Sequence, residues 1–289
     1  MTRYISSKEQ EQWLSSCPAQ DKGYGKSEFY KGEDFTCRYI MTRRGPFKSI
    51  YIPYGPNFKN LNGLKNFLDW LNRFKLTKVR IDLYRIFENE KEALSLIRQF
   101  GFKSSRYIQD PQTSIINKNS FMPNLRAKRY IRSAIKHHTA SNFIKCDDLL
   151  LIKQIYKIYE ESCKFKSYDF KRSFEYFEQL VNEGVLTVVR DNETGEINCF
   201  LLSVIRYVEG GIKKILYLVF TAMTETGRNL HLGFLAHQHQ IEEVFKNEIV
   251  DQVDCMGFSK EKGKHNIFKT KFGNEIIDLS GSFKRFKIL

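Results

Sequence analysis

The residues best suited to chemistry lie near the end of the chain, in the segment Cys255–Phe272, CMGFSKEKGKHNIFKTKF. The pattern predicts a strand that ends at Gly257, a flexible basic loop containing Lys264, and then Phe268-Lys269 ahead of Phe272-Gly273. A lysine flanked by aromatic rings is suited to holding a phosphate or a developing oxyanion, because the rings limit water and strengthen the charge. A second cluster, LRAKRYIRSAIK over Leu125–Lys136, carries Arg126, Lys128, Arg129, Arg132 and Lys136. Arg129, Arg132 and Lys136 recur at spacings of three and four and so share one helical face, with no acid between Met122 and Lys145 to neutralise them. A phosphate-rich partner fits that face; a solvated helix surface is the plainer alternative.

Other chemistries lack their marks. His137-His138 and His237-Gln238-His239 sit at adjacent or alternate positions, which point to different sides of a helix, whereas helical metal pairs sit three or four apart. The spacing therefore predicts solvated or capping histidines and no metal site. The six cysteines are scattered without a CxxC, which disfavours metal ligation and a disulfide framework and leaves free thiols. Neither a nucleophile elbow, nor a P-loop, nor GxGxxG occurs, so acyl-enzyme hydrolysis, P-loop phosphoryl transfer and dinucleotide chemistry lose their usual support, and no cofactor is expected.

The whole chain shares the charge of its clusters. Its 289 residues hold 47 Lys+Arg against 33 Asp+Glu, a formal balance of +14 that favours nucleic acid, anionic lipid head groups or phosphorylated substrates. A genome bias toward Lys, Ile, Asn and Phe is an alternative source of part of the excess. With 42% apolar residues the chain has material for packed cores and is not globally disordered. Its apolar windows are too short for a membrane helix and its first residues lack a secretory pattern, so the expected compartment is the cytoplasm.

The elements that must position these residues read as mixed helix and strand. Phe35–Met41 and Ser49–Pro53 are predicted strands around the turn at Arg44-Gly45-Pro46. Asn60–Phe74 spaces Leu61, Leu64, Phe67, Leu68 and Leu71 as an amphipathic helix, followed by a strand at Lys78–Leu83 and a helix from Glu88 to Phe100. A basic helix is predicted at Pro123–Ala134, and the polar stretch His137–Asn142 as a domain boundary. The pattern then restarts: helices to Phe165 and over Ser173–Glu183, strands at Leu186–Arg190, Asn198–Tyr207 and Lys214–Phe220, a helix over Leu230–Lys246 and a strand at Gln252–Met256. The expected fold is α/β with mixed sheets, in two related domains over 1–142 and 143–289.

Several pieces together resemble the Fem family of aminoacyltransferases, which extend the stem peptide of cell-wall precursors. Ile52-Pro53-Tyr54-Gly55-Pro56 is similar to the family's IPxGP, and Arg80-Ile81-Asp82 to its R-[I/L]-[D/E]-P, with Leu83 in place of the proline. Thr113–Lys118 followed by Arg126–Ala134 is similar to the segment with a basic RxxIRxA core. Cys255-Met256-Gly257 leading to Phe268-Lys269 and Phe272-Gly273 is similar to the D-x-x-G…FKxxFG ending, with Cys255 where aspartate is common and Asp254 adjacent.

The resemblance implies two tandem GNAT-like (acetyltransferase-like) domains without a coiled-coil arm, the last strand returning to the first domain. It implies transfer from aminoacyl-tRNA to the stem-peptide amine of a UDP-linked or lipid-linked peptidoglycan precursor, with peripheral contact to the inner membrane surface. Phe268 and Lys269 would sit at the reaction centre, and Asp82 or Asp110 would orient the amine or accept its proton. Tyr54, Gly55 and Pro56 would line the pocket, and Arg129, Arg132, Lys136 and Lys264 would hold the precursor's diphosphate. Two alternatives stand beside it: an acyl-CoA N-acyltransferase on the same fold, for which Arg228–Gly233 has the wrong spacing as a pyrophosphate loop, and a non-catalytic RNA- or membrane-binding protein. If Lys269 neutralises the oxyanion, Lys269→Met removes about 3 kcal/mol of transition-state stabilisation, on the order of a hundredfold in turnover, with little change in melting temperature. Turnover and melting measured on one preparation check this.

Overall fold

The computed structural model describes residues 27–53, 55–84, 86, 89–106, 112–165, 173–208, 213–255 and 270–287. Among these, strands form two mixed sheets of seven strands each. The first takes β1 (Ser27–Lys31), β2 (Phe35–Arg44), β3 (Phe47–Pro53), β4 (Asn57–Phe58), β5 (Thr77–Leu83) and β6 (Lys103–Ser105). The second takes β7 (Gln112–Asn117), β8 (His138–Ile144), β9 (Val185–Asp191), β10 (Ile197–Val208), β11 (Lys213–Met223), β12 (Gln252–Asp254) and β13 (Glu275–Asp278). The chain then crosses back, and β14 (Gly281–Lys287) lies in the first sheet between β5 and β6. The orders are β1-β2-β3-β5-β14-β6, with β4 on β2, and β13-β7-β12-β11-β10-β9-β8.

Each sheet contains one parallel pair, β3 with β5 and β11 with β12, and is otherwise antiparallel. A parallel pair needs a crossover connection. In the first sheet the crossover contains α1 (Leu61–Asn72), which starts where the Asn60 side chain accepts from the Gly63 amide at 2.9 Å and which buries Leu64, Phe67, Leu68 and Leu71. With α2 (Glu90–Gln99), it covers one face of the first sheet over Ile50, Ile52, Val79, Ile81 and Phe283.

The second sheet is covered on both faces. The helices α4 (Leu149–Phe165) and α5 (Phe174–Glu183) pack with Phe200, Leu202 and Val204 of β10. On the other face, α3 (Leu125–Ala134) and α7 (Gly233–Lys246) pack with Cys199 and Leu201 of the same strand. Burial on both faces explains why β10 reads as a continuous apolar run. The helix expected over Leu230–Lys246 starts at Gly233, and a separate short helix, α6 (Glu225–Asn229), precedes it. The basic helix starts at Leu125 because Asn124 caps it, its side chain accepting from the Ala127 amide at 2.9 Å. Among the described residues no helix is long and apolar enough to cross a membrane.

The polar run His137–Asn142, expected as a domain boundary, is strand in all but its first residue and belongs to β8, at the edge of the second sheet. An edge strand tolerates polar side chains because one side of its ladder has no partner strand. The change of sheet falls between Ser105 and Gln112. Cys37, Cys146, Cys163, Cys199 and Cys255 are buried free thiols.

Two histidines depart from the expected solvated or capping role. His138 is buried at the start of β8, and His237 is buried in α7, which lies between the second sheet and α3. The His237 ring donates from Nδ1 to the Gly233 carbonyl at 2.6 Å and stacks on Phe272 with centroids 6.2 Å apart. Burial outweighs that bond and lowers its pKa to about 4. The unfolded ring, with a pKa near 6.5, takes up a proton first as the pH falls. Stability from the neutral ring is therefore full above about pH 6.5 and is lost by about 1.4 kcal/mol per unit as the pH falls toward 4. Urea unfolding from about pH 7 to about pH 4.5 should show this slope in the wild type, and His237→Leu, though less stable at neutral pH, should flatten it.

Candidate active site

The carboxyl ends of the two crossover strands meet. Tyr84 follows β5, and its hydroxyl donates to Asp254, the last residue of β12 and 170 positions away in sequence. The Thr113 hydroxyl, from β7, donates to the other oxygen of the same carboxylate. The Tyr84 ring packs edge-on against Tyr217 of β11 with centroids 5.9 Å apart. Burial, and then the charge of Asp254, hold the Tyr84 phenol well above its usual pKa, so it remains a donor at physiological pH. In α/β sheets, the carboxyl ends of parallel strands are where ligands bind. Here two such ends share one junction.

Asp82, expected as an amine-orienting group or proton acceptor, is fully buried two residues before Tyr84. Its carboxylate accepts from Tyr51 of β3 at 2.9 Å, from Ser282 of β14 at 2.6 Å and from the Arg80 Nε at 3.4 Å. It thus ties the strands on either side of β5. Pro53 pairs with Asp82 across the parallel ladder, and the buried Gly55 and Pro56 follow two residues on. Tyr54 and Asp110 lie outside the described residues, as do Lys264, Phe268 and Lys269.

The described residues on both sides of that last segment are fastened to one place. On the upstream side, the Cys255 amide donates to the Ser114 carbonyl at 2.8 Å. Downstream, the Asn274 side chain donates to the Ser114 hydroxyl at 2.8 Å and to the Cys255 sulfur at 3.3 Å, and accepts from the Phe272 amide at 3.1 Å. Asn274 is therefore a clamp across the base of the segment that carries the expected reaction-centre residues. Phe272 is buried, stacked on Phe121 with centroids 6.1 Å apart. Gly273 has φ +77°, and a Cβ there would lie 1.9 Å from the Ser120 carbonyl oxygen, so only glycine fits.

This root also touches the basic helix. The Met122 amide donates to the Phe272 carbonyl at 3.1 Å, and the Asn124 amide to the Lys271 carbonyl at 2.8 Å, just ahead of α3. Tyr130 of α3 stacks on Phe234 at 5.3 Å, and Phe234 lies 6.1 Å from Phe272. Ala127, Ile131 and Ala134 face inward, leaving Arg129, Arg132 and, beyond the helix end, Lys136 exposed. Sequence reading missed Tyr84, Thr113 and Asn274. The available signals were slight: a tyrosine just after the RID motif, a threonine in an apolar strand and an asparagine directly after Phe272-Gly273.

No protein-family model matches the chain, and no curated protein matches its sequence. In three dimensions it is similar to FemX, with TM-score 0.69 at 14% identity over 96% of this chain and 91% of that one. It is also similar to the L-PGS from Bacillus licheniformis, with TM-score 0.61 at 12% identity over 98% of this chain and 92% of that one. A tandem GNAT protein from the clavulanic acid biosynthesis pathway aligns with TM-score 0.52 at 10% identity over 96% and 94% of the two chains. The fold is α/β with two tandem GNAT-like domains, shared with these proteins over nearly their whole length.

The junction makes a thermodynamic prediction. Tyr84→Phe and Asp254→Asn, measured singly and together by denaturant unfolding, should show a coupling on the order of 2 kcal/mol, as expected for a buried hydrogen bond to a carboxylate. Additive single effects would mean that the two domains do not depend on this bond.

Proposed function

We propose that the chain is a Fem-type transferase that moves an amino acid from aminoacyl-tRNA to the stem-peptide amine of a peptidoglycan precursor. The observation that carries this reading is the convergence of motif pieces far apart in sequence. The IPxGP-like turn and Arg80-Ile81-Asp82 lie at the carboxyl end of one parallel pair, and Asp254-Cys255 at that of the other. Phe272-Gly273 is fastened beside Cys255 through Asn274. The whole-chain likeness to FemX and the +14 balance support it as well.

In this reading the amine attacks the ester carbonyl, a carbon–nitrogen bond forms, and the oxyanion is held by Lys269 against the wall of Phe268. Collapse breaks the ester bond, and the proton leaving the amine passes to the departing 3′ oxygen of the tRNA. Asp82, already satisfied by Tyr51, Ser282 and Arg80, acts as a positioning residue beneath Gly55 and Pro56, which leaves proton acceptance to Asp110. Tyr54 completes the pocket, while Arg129, Arg132, Lys136 and Lys264 hold phosphate. The chemistry asks for orientation and charge stabilisation more than for a nucleophile.

The likeness to a tandem GNAT protein favours one competing reading, acyl transfer from acyl-CoA. Mixed aminoacyl-tRNAs incubated with the soluble and the lipid-linked precursor, with the mass of the product read out, decide between them. Added aminoacyl mass that disappears on ribonuclease treatment is the expected result. Transfer that persists with ribonuclease and acetyl-CoA present would sink the tRNA reading.

A further inference from the structure

We infer that the exposed part of the first sheet's face opposite α1 and α2, around Phe47, Lys78 and Phe286, is a docking platform for single-stranded RNA. Among the described residues α1 and α2 cover one face of the sheet; the other is buried at Ile40, Tyr51, Asp82 and Ser282 and open around Ser49, Lys78 and Phe286, and the strand registers show what that open part carries. Thr42, Ser49, Lys78 and Phe286 pair in turn across β2, β3, β5 and β14. The next row runs Tyr51, Arg80, Lys284 and Lys103 across β3, β5, β14 and β6. Cross-strand partners point to the same face, so Arg80, Lys284 and Lys103 stand side by side.

Like charges directly opposite one another destabilise a sheet. These five strands contain ten Lys or Arg residues and a single acid, Asp82, which is buried. Asp82 reaches Arg80 at 3.4 Å, while Lys78, Lys103 and Lys284 remain exposed to solvent. Beside the cations lie two large aromatic rings, Phe47 at 49% and Phe286 at 53% exposure, with centroids 6.4 Å apart. They line a groove of about 510 Å³ with Thr42, Lys48, Ser49 and Lys78.

Rings that bases can stack on, hydroxyls between them and exposed lysines for the backbone are what an unpaired RNA segment requires. A lipid surface is the poorer match, because the rings line a groove that also contains hydroxyls and do not stand clear as an apolar edge. The inference rests on the proposed function only in naming the RNA as the unpaired end of the donor tRNA. Binding itself needs no transfer.

The test uses the full chain and a fluorescein-labelled, unstructured RNA of roughly 12 nucleotides, with anisotropy read over a range of salt. A duplex of equal length and phosphatidylglycerol vesicles are the comparison ligands. Phe47→Ala and Phe286→Ala should each weaken binding of the single strand by about tenfold and leave binding of the duplex unchanged. The triple variant Lys78→Gln, Lys103→Gln, Lys284→Gln should flatten the logarithmic salt slope by about 2, the value for three contacts with single-stranded phosphates. All five side chains are exposed, so melting temperatures should hold.

Ring variants that bind like wild type would overturn the proposal, as would vesicles responding to these substitutions while the RNA does not. So would loss of all RNA binding in Arg129→Gln, Arg132→Gln, which would assign the strand to α3 instead. If the RNA behaves as expected but charged tRNA supports no transfer, the donor reading fails and the platform stands. If transfer proceeds while the ring variants bind normally, the platform fails and the donor reading stands.

Discussion

A carboxylate taken out of water has to find its hydrogen-bond donors in the protein, and Asp254 finds one beside each sheet. Tyr84 comes from the end of β5 and Thr113 from β7, so the bond pair fixes the end of one crossover strand against the end of the other. Neighbouring links follow the same line. The Ser280 amide donates to the Tyr84 carbonyl at 3.2 Å, the Ser280 hydroxyl accepts from the Ile86 amide at 2.7 Å, and Leu279 is buried in the second domain's core beside Tyr84. The chain thus crosses from the second sheet back to the first at the place where the two sheets are already tied.

Both domains repeat one construction, a strand, a helical crossover and a parallel strand, and both turn the carboxyl end of that unit to the junction. They differ in their wrapping. Helices cover both faces of the second sheet, which forces β10 to be apolar on each side, whereas among the described residues helices cover one face of the first sheet, and the exposed part of its other face holds cations, hydroxyls and aromatic rings.

Legibility in the sequence followed the range of the interactions. The amphipathic helix at Leu61–Asn72 and the strand at Thr77–Leu83 were readable because period and capping are local. The strand at His138–Ile144 was not legible because an edge strand and a domain boundary share the same polar composition, and only the partner strand reveals the strand. His237 was misread because its burial depends on α3 packing over α7. The motif pieces Arg80–Asp82 and Phe272-Gly273 were visible as resemblances, but the role of Asn274 was not. A side chain that joins Ser114 to Cys255 leaves no mark at either position. The bond between Tyr84 and Asp254 was hidden for the same reason: no periodicity links residues so far apart.

The path of β14 also orders events in time. A chain emerges from the ribosome from its amino end, and domains generally fold as units as they appear. Here β5 and β6 are made early, yet the strand that lies between them is made after every strand of the second sheet. The first domain therefore waits, with two ladder edges open, while the second completes itself. The first sheet cannot close until the second sheet's strands have been made, and β13, tied to β7, immediately precedes the closing strand. During synthesis, the later half of the chain acts as the template on which the earlier half is finished.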